Sequence, residues 1–309
     1  HLSVFQRTPP WIMPKADRDI SPRERALFAL APPLQKLARG RQYVMHELLA
    51  LGFVYEPRVL AYASKMALSY LERKVKDPVL RDKLTPRYTM GCKRVLLSNE
   101  YFPAIVRDNV ELVTDGIDRV ERSGIVTRDG QSRAFDAIVL ATGFHAAEAV
   151  IPFEVRGVGG RTLNDAWKEG PEAYLGTTVT GFPNLFFVIG PNTGLGHSSM
   201  IYMMESQMAY VLDAVRTMRR EGYDRVEVRA EAQAAYNAEL QSRLSKTVWQ
   251  SGGCTSWYQT HAGKNTTLWP GFTFEFRRRT RKFDASAYAC TPRSREAKRA
   301  PSAEVTLNA

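Results

Sequence analysis

Short apolar runs that end at a glycine or a polar turn predict the strands of an α/β protein. The run at residues 136–144 is nearly unbroken, as is typical of a parallel strand buried on both faces. Before it, Asp129-Gly130 separates two short β-type segments, which predicts a two-residue hairpin. Because ligands bind at the carboxyl ends of strands in open sheets, Thr142 and Gly143 are candidate contacts with a bound molecule. The alternative is an ordinary core strand that ends in a glycine turn.

Further apolar segments, each bounded by polar or turn-forming residues, also predict strands. They lie at residues 2–7, 88–97, 109–113, 185–190 and 225–228, and the alternation of Phe272, Phe274 and Phe276 predicts a last strand. In an extended segment, successive side chains point to opposite faces. Adjacent Lys93 and Arg94 are therefore expected to contact two different partners.

Helix signals are concentrated in residues 17–88, which predicts a helical insertion. A capping box at 21–24, with Pro22 at the first helical position, predicts a helix that runs to residue 39 and that Gly40 closes. Residues 43–51 and 58–76 keep helical spacing, and Asp77 is placed to cap a further short helix. No catalytic group of residues is recognisable in this insertion.

A glycine-containing loop at 191–199 leads from the strand at 185–190 into a long helix. Such a loop exposes backbone N–H groups that hold negative charge, so we expect it to face a cofactor bound mainly by other segments. Apolar positions at three- and four-residue spacing predict the buried face of this helix. These positions are Met200, Met203, Met204, Met208, Val211, Leu212, Val215 and Met218. A second helix is predicted from 230 to 248.

The composition is that of a globular protein: 309 residues with 44% hydrophobic content suffice for about two domains. A formal charge of +11 favours anionic partners, such as phosphate-bearing cofactors, acidic substrates or nucleic acid. Much of this charge lies in residues 277–309, which we expect to form a disordered basic tail without specific nucleic-acid binding. No apolar run is long enough to span a membrane and no signal peptide is recognisable, so we expect a cytoplasmic protein.

The three cysteines, Cys92, Cys254 and Cys290, stand far apart and contain no C-x-x-C motif. The spacing predicts neither a zinc ribbon nor a dithiol redox centre, and we expect no metal site. A reducing compartment is the default expectation for this cysteine usage.

The chain starts at His1 directly on the strand at 2–7, which predicts an interior strand and hence a fragment of a longer protein. Arg7 lies where the second strand of a Rossmann unit meets the adenosine ribose. An acidic residue there suits a free 2′-hydroxyl, whereas an arginine suits a 2′-phosphate. Arg7 thus favours NADPH over NADH, and the alternative is a surface arginine beside a loop.

Taken together, several of these segments resemble the C-terminal part of class B flavoprotein monooxygenases, in particular Baeyer–Villiger monooxygenases of the 4-hydroxyacetophenone and cyclohexanone monooxygenase type. The resemblance extends to about Tyr288. The motifs that carry it are Val4-Phe5-Gln6-Arg7-Thr8-Pro9, Cys92-Lys93-Arg94, residues 136–144, residues 184–192, Ser256-Trp257-Tyr258 and Gly263-Lys264. The resemblance implies an α/β fold, namely an incomplete Rossmann-like flavoprotein with two dinucleotide-binding domains and a helical insertion.

The resemblance also implies cofactors and residue roles. FAD and NADPH would be the cofactors, and Arg7, Thr8 and Lys93 would hold the NADPH 2′-phosphate. Arg94 would be the catalytic arginine that stabilises a peroxyflavin anion as it inserts one oxygen atom from dioxygen into a ketone. The remaining assignments follow the same family pattern. Trp257 would bind NADP, Thr142, Gly143, Gly190, Pro191 and Asn192 would lie near the flavin, and Met200 would line the substrate space.

The resemblance implies five segments along the chain. They are the end of an NADPH-binding domain (1–16), the helical insertion (17–88), the rest of the NADPH-binding domain (89–145), the C-terminal part of an FAD-binding domain (146–276) and the basic tail (277–309). The glycine motifs for FAD and NADPH and the Baeyer–Villiger fingerprint are absent. We therefore expect the chain alone to bind FAD poorly and to turn over little, with the missing N-terminal segment as a candidate partner.

Two other functions stay open at this point. A sibling family oxidises nitrogen or sulfur centres with the same cofactors, and the absent fingerprint is the feature that would separate the two. The chain could also be a non-catalytic, nucleotide-binding remnant with a basic surface.

Overall fold

The computed structural model describes residues 1–143, 151 and 153–293. The chain divides into two compact units. The first unit comprises His1–His145 and Ser245–Trp257, and the second comprises Ala146–Leu244 and Tyr258–Ala309.

The described residues form nine strands and ten α-helices. The strands are β1 (Leu2–Phe5), β2 (Ile12–Met13), β3 (Leu96–Leu97), β4 (Val110–Val113), β5 (Ile117–Glu121), β6 (Gly124–Thr127), β7 (Ser132–Ala134), β8 (Tyr223–Val228) and β9 (Tyr288–Pro292). The helices are α1 (Pro22–Leu30), α2 (Pro32–Ala50), α3 (Leu60–Lys74), α4 (Pro78–Lys83), α5 (Tyr101–Ile105), α6 (Leu163–Ala166), α7 (Met200–Glu221), α8 (Ala230–Leu244), α9 (Val248–Ser251) and α10 (Thr273–Arg279).

The sheet pairs of the first unit confirm the predicted strands near its start and the predicted hairpin. β1 runs parallel to β4, with Leu2 opposite Val110 and Phe5 opposite Val113. β2 is parallel to β3, and β5, β6 and β7 form an antiparallel sheet. The turn between β6 and β7 contains Gly130 at φ +83°, a left-handed conformation that glycine adopts without steric cost.

Residues 17–88 are largely helical, as predicted, although the first helix is shorter than predicted. Ser21 caps α1 by accepting the Glu24 N–H at 3.2 Å, and the Asp77 carboxylate caps α4 through the Val79 N–H at 2.9 Å. The predicted helix from 22 to 39 is interrupted at Ala31, because two prolines follow it and a residue before proline avoids the α conformation. Gly40, expected to close that helix, lies instead inside α2.

The core of the first unit lies between its helices and its short parallel pairs. Eight residues from β2, α3, α5, β4 and the α3–α4 region bury their side chains together: Ile12, Tyr70, Leu71, Val75, Leu84, Phe102, Ile105 and Leu112. Next to this cluster, the buried Trp11 donates its indole N–H to the Tyr88 carbonyl at 2.9 Å. This hydrogen bond joins the segment before the insertion to the end of the insertion.

The second unit is organised around α7 and the antiparallel pair β8–β9. The Tyr288 hydroxyl, on β9, hydrogen-bonds the Thr178 and Tyr210 hydroxyls, each at 2.9 Å. A separate apolar cluster contains Leu163, Trp167, Ala173, Val179 and Phe182. The predicted long helix is confirmed as α7, and the predicted strand at 225–228 is confirmed within β8.

Three predicted strands are wrong, and the strand predicted at 88–97 forms only at Leu96–Leu97. Residues 136–143 form no strand, and Val139 and Leu140 are 88% and 82% exposed; Phe144 lies outside the described residues. Residues 185–190 are irregular because Ile189 takes a left-handed conformation, at φ +59°, which a strand cannot contain. The alternating phenylalanines lie at the start of α10, whose three terminal arginines complement the helix dipole.

Two other expectations are corrected. The apolar face predicted for α7 is only partly buried: Met203 is inaccessible, but Met204, Met208, Leu212 and Val215 are exposed. The more buried face carries Ser206, Gln207 and Thr217 beside Tyr210 and Ala214. In the predicted disordered tail, residues 277–293 instead contribute to α10 and β9; residues 294–309 lie outside the described part of the chain.

Candidate nucleotide-binding cleft

A cleft of about 740 Å³ lies in the first unit at the carboxyl ends of the parallel strands β1 and β4. Arg7 and Thr8 follow β1 after Gln6, and Thr114 follows β4 directly, so the chain beyond both strand ends contributes to the lining. This edge of a parallel sheet is where open α/β folds bind ligands. The full lining is Arg7, Thr8, Pro9, Asp82, Lys83, Thr85, Arg87, Tyr88, Lys93, Thr114, Gly253, Cys254 and Thr255.

The cleft is electropositive. Among its lining residues Arg7, Lys83, Arg87 and Lys93 carry positive charge and Asp82 carries the negative charge. Asp82 accepts a hydrogen bond from Arg87 at 2.9 Å, so the two neutralise each other. A net positive, partly enclosed surface attracts phosphate groups.

Lys93 is held inside this cleft. Its Nζ lies 5.3 Å from the centroid of the Tyr88 ring, a distance typical of a cation–π contact. Partial burial, and secondly the nearby positive charge of Arg7, lower the pKa of Lys93 below its ordinary value. A bound anion would oppose this lowering, because a negative charge beside Lys93 favours the charged form of its amine.

The turn that contains Cys92 and Lys93 is bonded to a segment far along the chain. Cys92 forms a disulfide bond with Cys254, across 162 residues, with the two Cα atoms 6.1 Å apart. The Thr89 N–H also donates to the Gly252 carbonyl at 3.2 Å. The cysteine spacing did not indicate this bond, and Cys290 is the free cysteine in the described part of the chain.

The other predicted site residues of the first unit lie outside this lining. Arg94 follows Lys93 and is exposed. Trp257, two residues after Thr255, is 48% exposed. Thr142 and Gly143 are also exposed, and Gly143 takes φ +90°, where glycine is favoured.

The predicted flavin-facing residues Gly190, Pro191 and Asn192, and the predicted substrate-lining Met200, belong to the second unit. Gly190 packs against backbone: a Cβ there would lie 2.3 Å from the Gly176 carbonyl oxygen. Asn192 is buried and takes φ +56°. Its side-chain amide donates to the Asn265 and Leu268 carbonyls at 2.9 and 3.2 Å, so these donors are used within the fold. Met200 is half-buried at the first position of α7.

Within the described residues, no group of three or more His, Cys, Asp or Glu side chains is arranged to hold a metal ion. The same part of the chain contains no helix long and apolar enough to span a membrane.

Comparison with known proteins identifies the family. Over 94% of its length the chain is 51% identical to a Baeyer–Villiger monooxygenase of Pseudomonas aeruginosa, of which it covers 55%. It is 47% identical to a Baeyer–Villiger monooxygenase of Streptomyces coelicolor, over 93% of this chain and 56% of the relative. The chain is homologous to the Baeyer–Villiger monooxygenases. It spans about half the length of these relatives, which fits the expectation that it corresponds to one portion of such a protein. A search against models of protein families gave no match.

Solved structures show that this Baeyer–Villiger monooxygenase homologue has the α/β flavin monooxygenase fold. A steroid monooxygenase bound to NADP matches with a TM-score of 0.77 and 26% identity, over 94% of this chain and 62% of that protein. A closed structure of cyclohexanone monooxygenase matches with a TM-score of 0.79 and 23% identity, over 95% and 63%. The predicted fold class is confirmed.

The sequence of this Baeyer–Villiger monooxygenase homologue did not reveal several residues that the structure brings to the cleft. Lys83, Thr85 and Arg87 come from α4 and the segment after it, within the insertion to which no role was assigned. No local motif marks them, because they join Arg7 only through tertiary packing.

In the second unit, the sequence also did not reveal the role of the buried Gln207. Its side chain accepts the Ile189 N–H at 2.8 Å and donates to the Gly176 carbonyl at 2.8 Å.

Proposed function

We propose that this chain supplies the NADPH 2′-phosphate site and part of the FAD site of a Baeyer–Villiger monooxygenase. The reaction would use NADPH and dioxygen to insert one oxygen atom into a ketone, giving an ester or a lactone. The observation that carries the proposal is the meeting of Arg7, Thr8 and Lys93 in one electropositive cleft at the carboxyl ends of parallel strands. The homology to Baeyer–Villiger monooxygenases supports the same function.

The cleft has the donor set that a 2′-phosphate requires. Arg7 would form charge-assisted hydrogen bonds with the phosphate, Lys93 would add a second cation, and Thr8 offers a hydroxyl. A dinucleotide that lacks the 2′-phosphate would leave these cations without an anion, which favours NADPH over NADH. Trp257 would contribute its indole N–H to the bound nucleotide.

The remaining predicted residues would act beside the flavin. When bound and reduced by NADPH, FAD supplies the chemistry that activates dioxygen. The Arg94 guanidinium would stabilise negative charge that develops on the ketone oxygen. Gly190, with no room for a side chain, and Asn192, with its donors already used, would shape a rigid wall. Met200 would give the substrate an apolar contact.

We further propose that a polypeptide segment corresponding to the other half of the relatives completes the FAD site. The exposed apolar residues Ile138, Val139 and Leu140 support this, because adjacent exposed apolar side chains mark interaction surfaces. On this proposal the first unit holds the NADPH-binding segments (1–16 and 89–145) and the insertion (17–88). The second holds the FAD-binding segment (146–276) apart from residues 245–257, which belong to the first unit. Since the proposed reaction consumes NADPH, we place the protein in the cytoplasm.

Calorimetric titration of the chain with 2′,5′-ADP tests the proposed phosphate site, with 5′-AMP as the unphosphorylated reference. We expect 2′,5′-ADP to bind more tightly, and Arg7→Ala and Lys93→Ala each to weaken it about 10- to 100-fold, as expected for one charge-assisted interaction. Arg107→Ala, which removes an exposed arginine of the first unit outside the lining, should leave the affinity unchanged. Equal affinity for both nucleotides would contradict the proposal.

Catalysis is tested after the other half has been supplied by co-expression. Product analysis with a ketone should show an ester or lactone, and Arg94→Ala should abolish it while NADPH still reduces the flavin. Undiminished ester formation would remove Arg94 from the mechanism. The chain alone should bind FAD poorly, so stoichiometric flavin and NADPH oxidation by the isolated chain would overturn that expectation.

A further inference from the structure

The disulfide bond between Cys92 and Cys254 is part of the wall of the nucleotide cleft. Cys254 lines the cleft together with its neighbours Gly253 and Thr255, and Cys92 directly precedes Lys93. The bond therefore fixes two parts of the same wall, one that carries a cation and one that comes from a segment 162 residues later in the sequence.

The segment after α9 contains two glycines with different surroundings. Gly252 is packed tightly, since a Cβ there would meet the Cys92 Cβ at 2.6 Å and the Val248 carbonyl oxygen at 2.5 Å. Gly253, by contrast, takes φ +74°, where glycine is favoured, and a Cβ there would meet nothing within 4 Å. Residues 253–255 therefore lie between the packed Gly252 and the buried Ser256, and the disulfide bond attaches them to Cys92.

The two cysteine residues differ in their exposure. Cys92 is inaccessible to solvent, whereas Cys254 is half-buried at the cleft wall. A small thiolate would attack the Sγ of Cys254, forming a mixed disulfide and expelling the Sγ of Cys92 as thiolate. A second thiolate would then attack the small-thiol sulfur of the mixed disulfide and release Cys254. The net change is the reduction of one protein disulfide to two thiols and the oxidation of two small thiols to their disulfide.

We propose that Cys92 and Cys254 form a thiol–disulfide switch that sets the affinity of the cleft for 2′-phosphorylated nucleotides. In the disulfide state Lys93 and residues 253–255 are held in the conformation that lines the cleft. In the dithiol state residues 253–255, which lie between the buried Gly252 and the buried Ser256, lose one of their attachments, so a nucleotide must order them on binding and is held less tightly. Disulfides in reducing compartments are usually transient or redox-sensing, in agreement with the proposed location. The inference rests on the proposed nucleotide site.

The experiment uses the chain with Cys290→Ser, so that Cys92 and Cys254 are the remaining cysteines. Calorimetric titration with 2′,5′-ADP is carried out after treatment with oxidised or reduced dithiothreitol, and thiol titration verifies each state. We expect about tenfold weaker binding in the dithiol state, roughly the cost of ordering one additional residue, with recovery after reoxidation. Cys92→Ser and Cys254→Ser should each bind like the dithiol state and should no longer respond to the treatment.

The remaining outcomes distinguish failure of the switch from failure of the nucleotide site. Equal affinity in the two states overturns the switch and leaves the nucleotide site in place, whereas no binding in either state overturns both. Circular dichroism separates a switch from a structural bond, because a switch leaves the helical signal intact on reduction. Loss of that signal in the dithiol state, or two free thiols in the oxidised preparation, would also overturn the proposal.

Discussion

Replacement of Asn192 tests whether the predicted flavin-facing loop is held by its own side chain. Asn192 is 2% exposed, and its amide donates to the carbonyls of Asn265 and Leu268. The Asn265 carbonyl has a second donor in Gln241, at 2.9 Å, so removal of Asn192 leaves it paired. The carbonyl of the buried Leu268 loses the donor of its 3.2 Å hydrogen bond, and the desolvation of this carbonyl is the main cost.

Two variants separate the side-chain bonds from the backbone conformation. Asn192→Gly removes the bonds but tolerates φ +56°, and should lower the free energy of unfolding of the second unit by about 2 kcal/mol. Asn192→Ala adds the cost of a left-handed residue, about 1 kcal/mol more. At about 3 °C per kcal/mol for a unit of this size, the melting temperature should fall by about 6 °C and about 9 °C.

Thermal unfolding followed by circular dichroism measures both values. Asn184→Gly is the matched control: Asn184 is also left-handed, at φ +58°, but it is exposed, so water can replace its bonds and the loss should be about 1 kcal/mol. Melting of Asn192→Gly at the wild-type temperature would refute the role of the amide. An Asn192→Ala variant as stable as Asn192→Gly would refute the left-handed conformation.

Three further predictions concern the cleft and the two units. Raising the pH from about 8 to about 10 should weaken the binding of 2′,5′-ADP measured by calorimetry. Lys93 has a lowered pKa, so it loses its proton at a lower pH than an ordinary lysine. The Lys93→Arg variant should bind independently of pH in this range. Gly190→Ala should lower the stability of the second unit in urea by about 2 kcal/mol, since the new Cβ meets the Gly176 carbonyl; an unchanged midpoint would contradict this packing. Gly40→Ala, with open space inside α2, should stabilise the first unit by about 1 kcal/mol in the same assay, and destabilisation would contradict the helix assignment.

Signals that act over a few residues were predictable from the sequence. The Ser21 and Asp77 caps, the Asp129-Gly130 turn and the helical spacing of α7 gave the correct elements, because caps, turns and periodicity depend on neighbouring residues. The family motifs also pointed to Arg7, Thr8 and Lys93, which the structure brings to one cleft. Their proposed roles remain to be tested by binding.

Contacts between distant segments were decided only by the tertiary structure. An apolar run predicts burial but does not name the strand that pairs with it, so 136–143 was wrongly predicted as a strand. The Cys92–Cys254 bond and the contributions of Lys83 and Arg87 to the cleft join residues that no local pattern connects. Sequence by itself determined which short elements form and which family they resemble. Packing determined which elements meet, because burial and pairing depend on all neighbours in space rather than on neighbours along the chain.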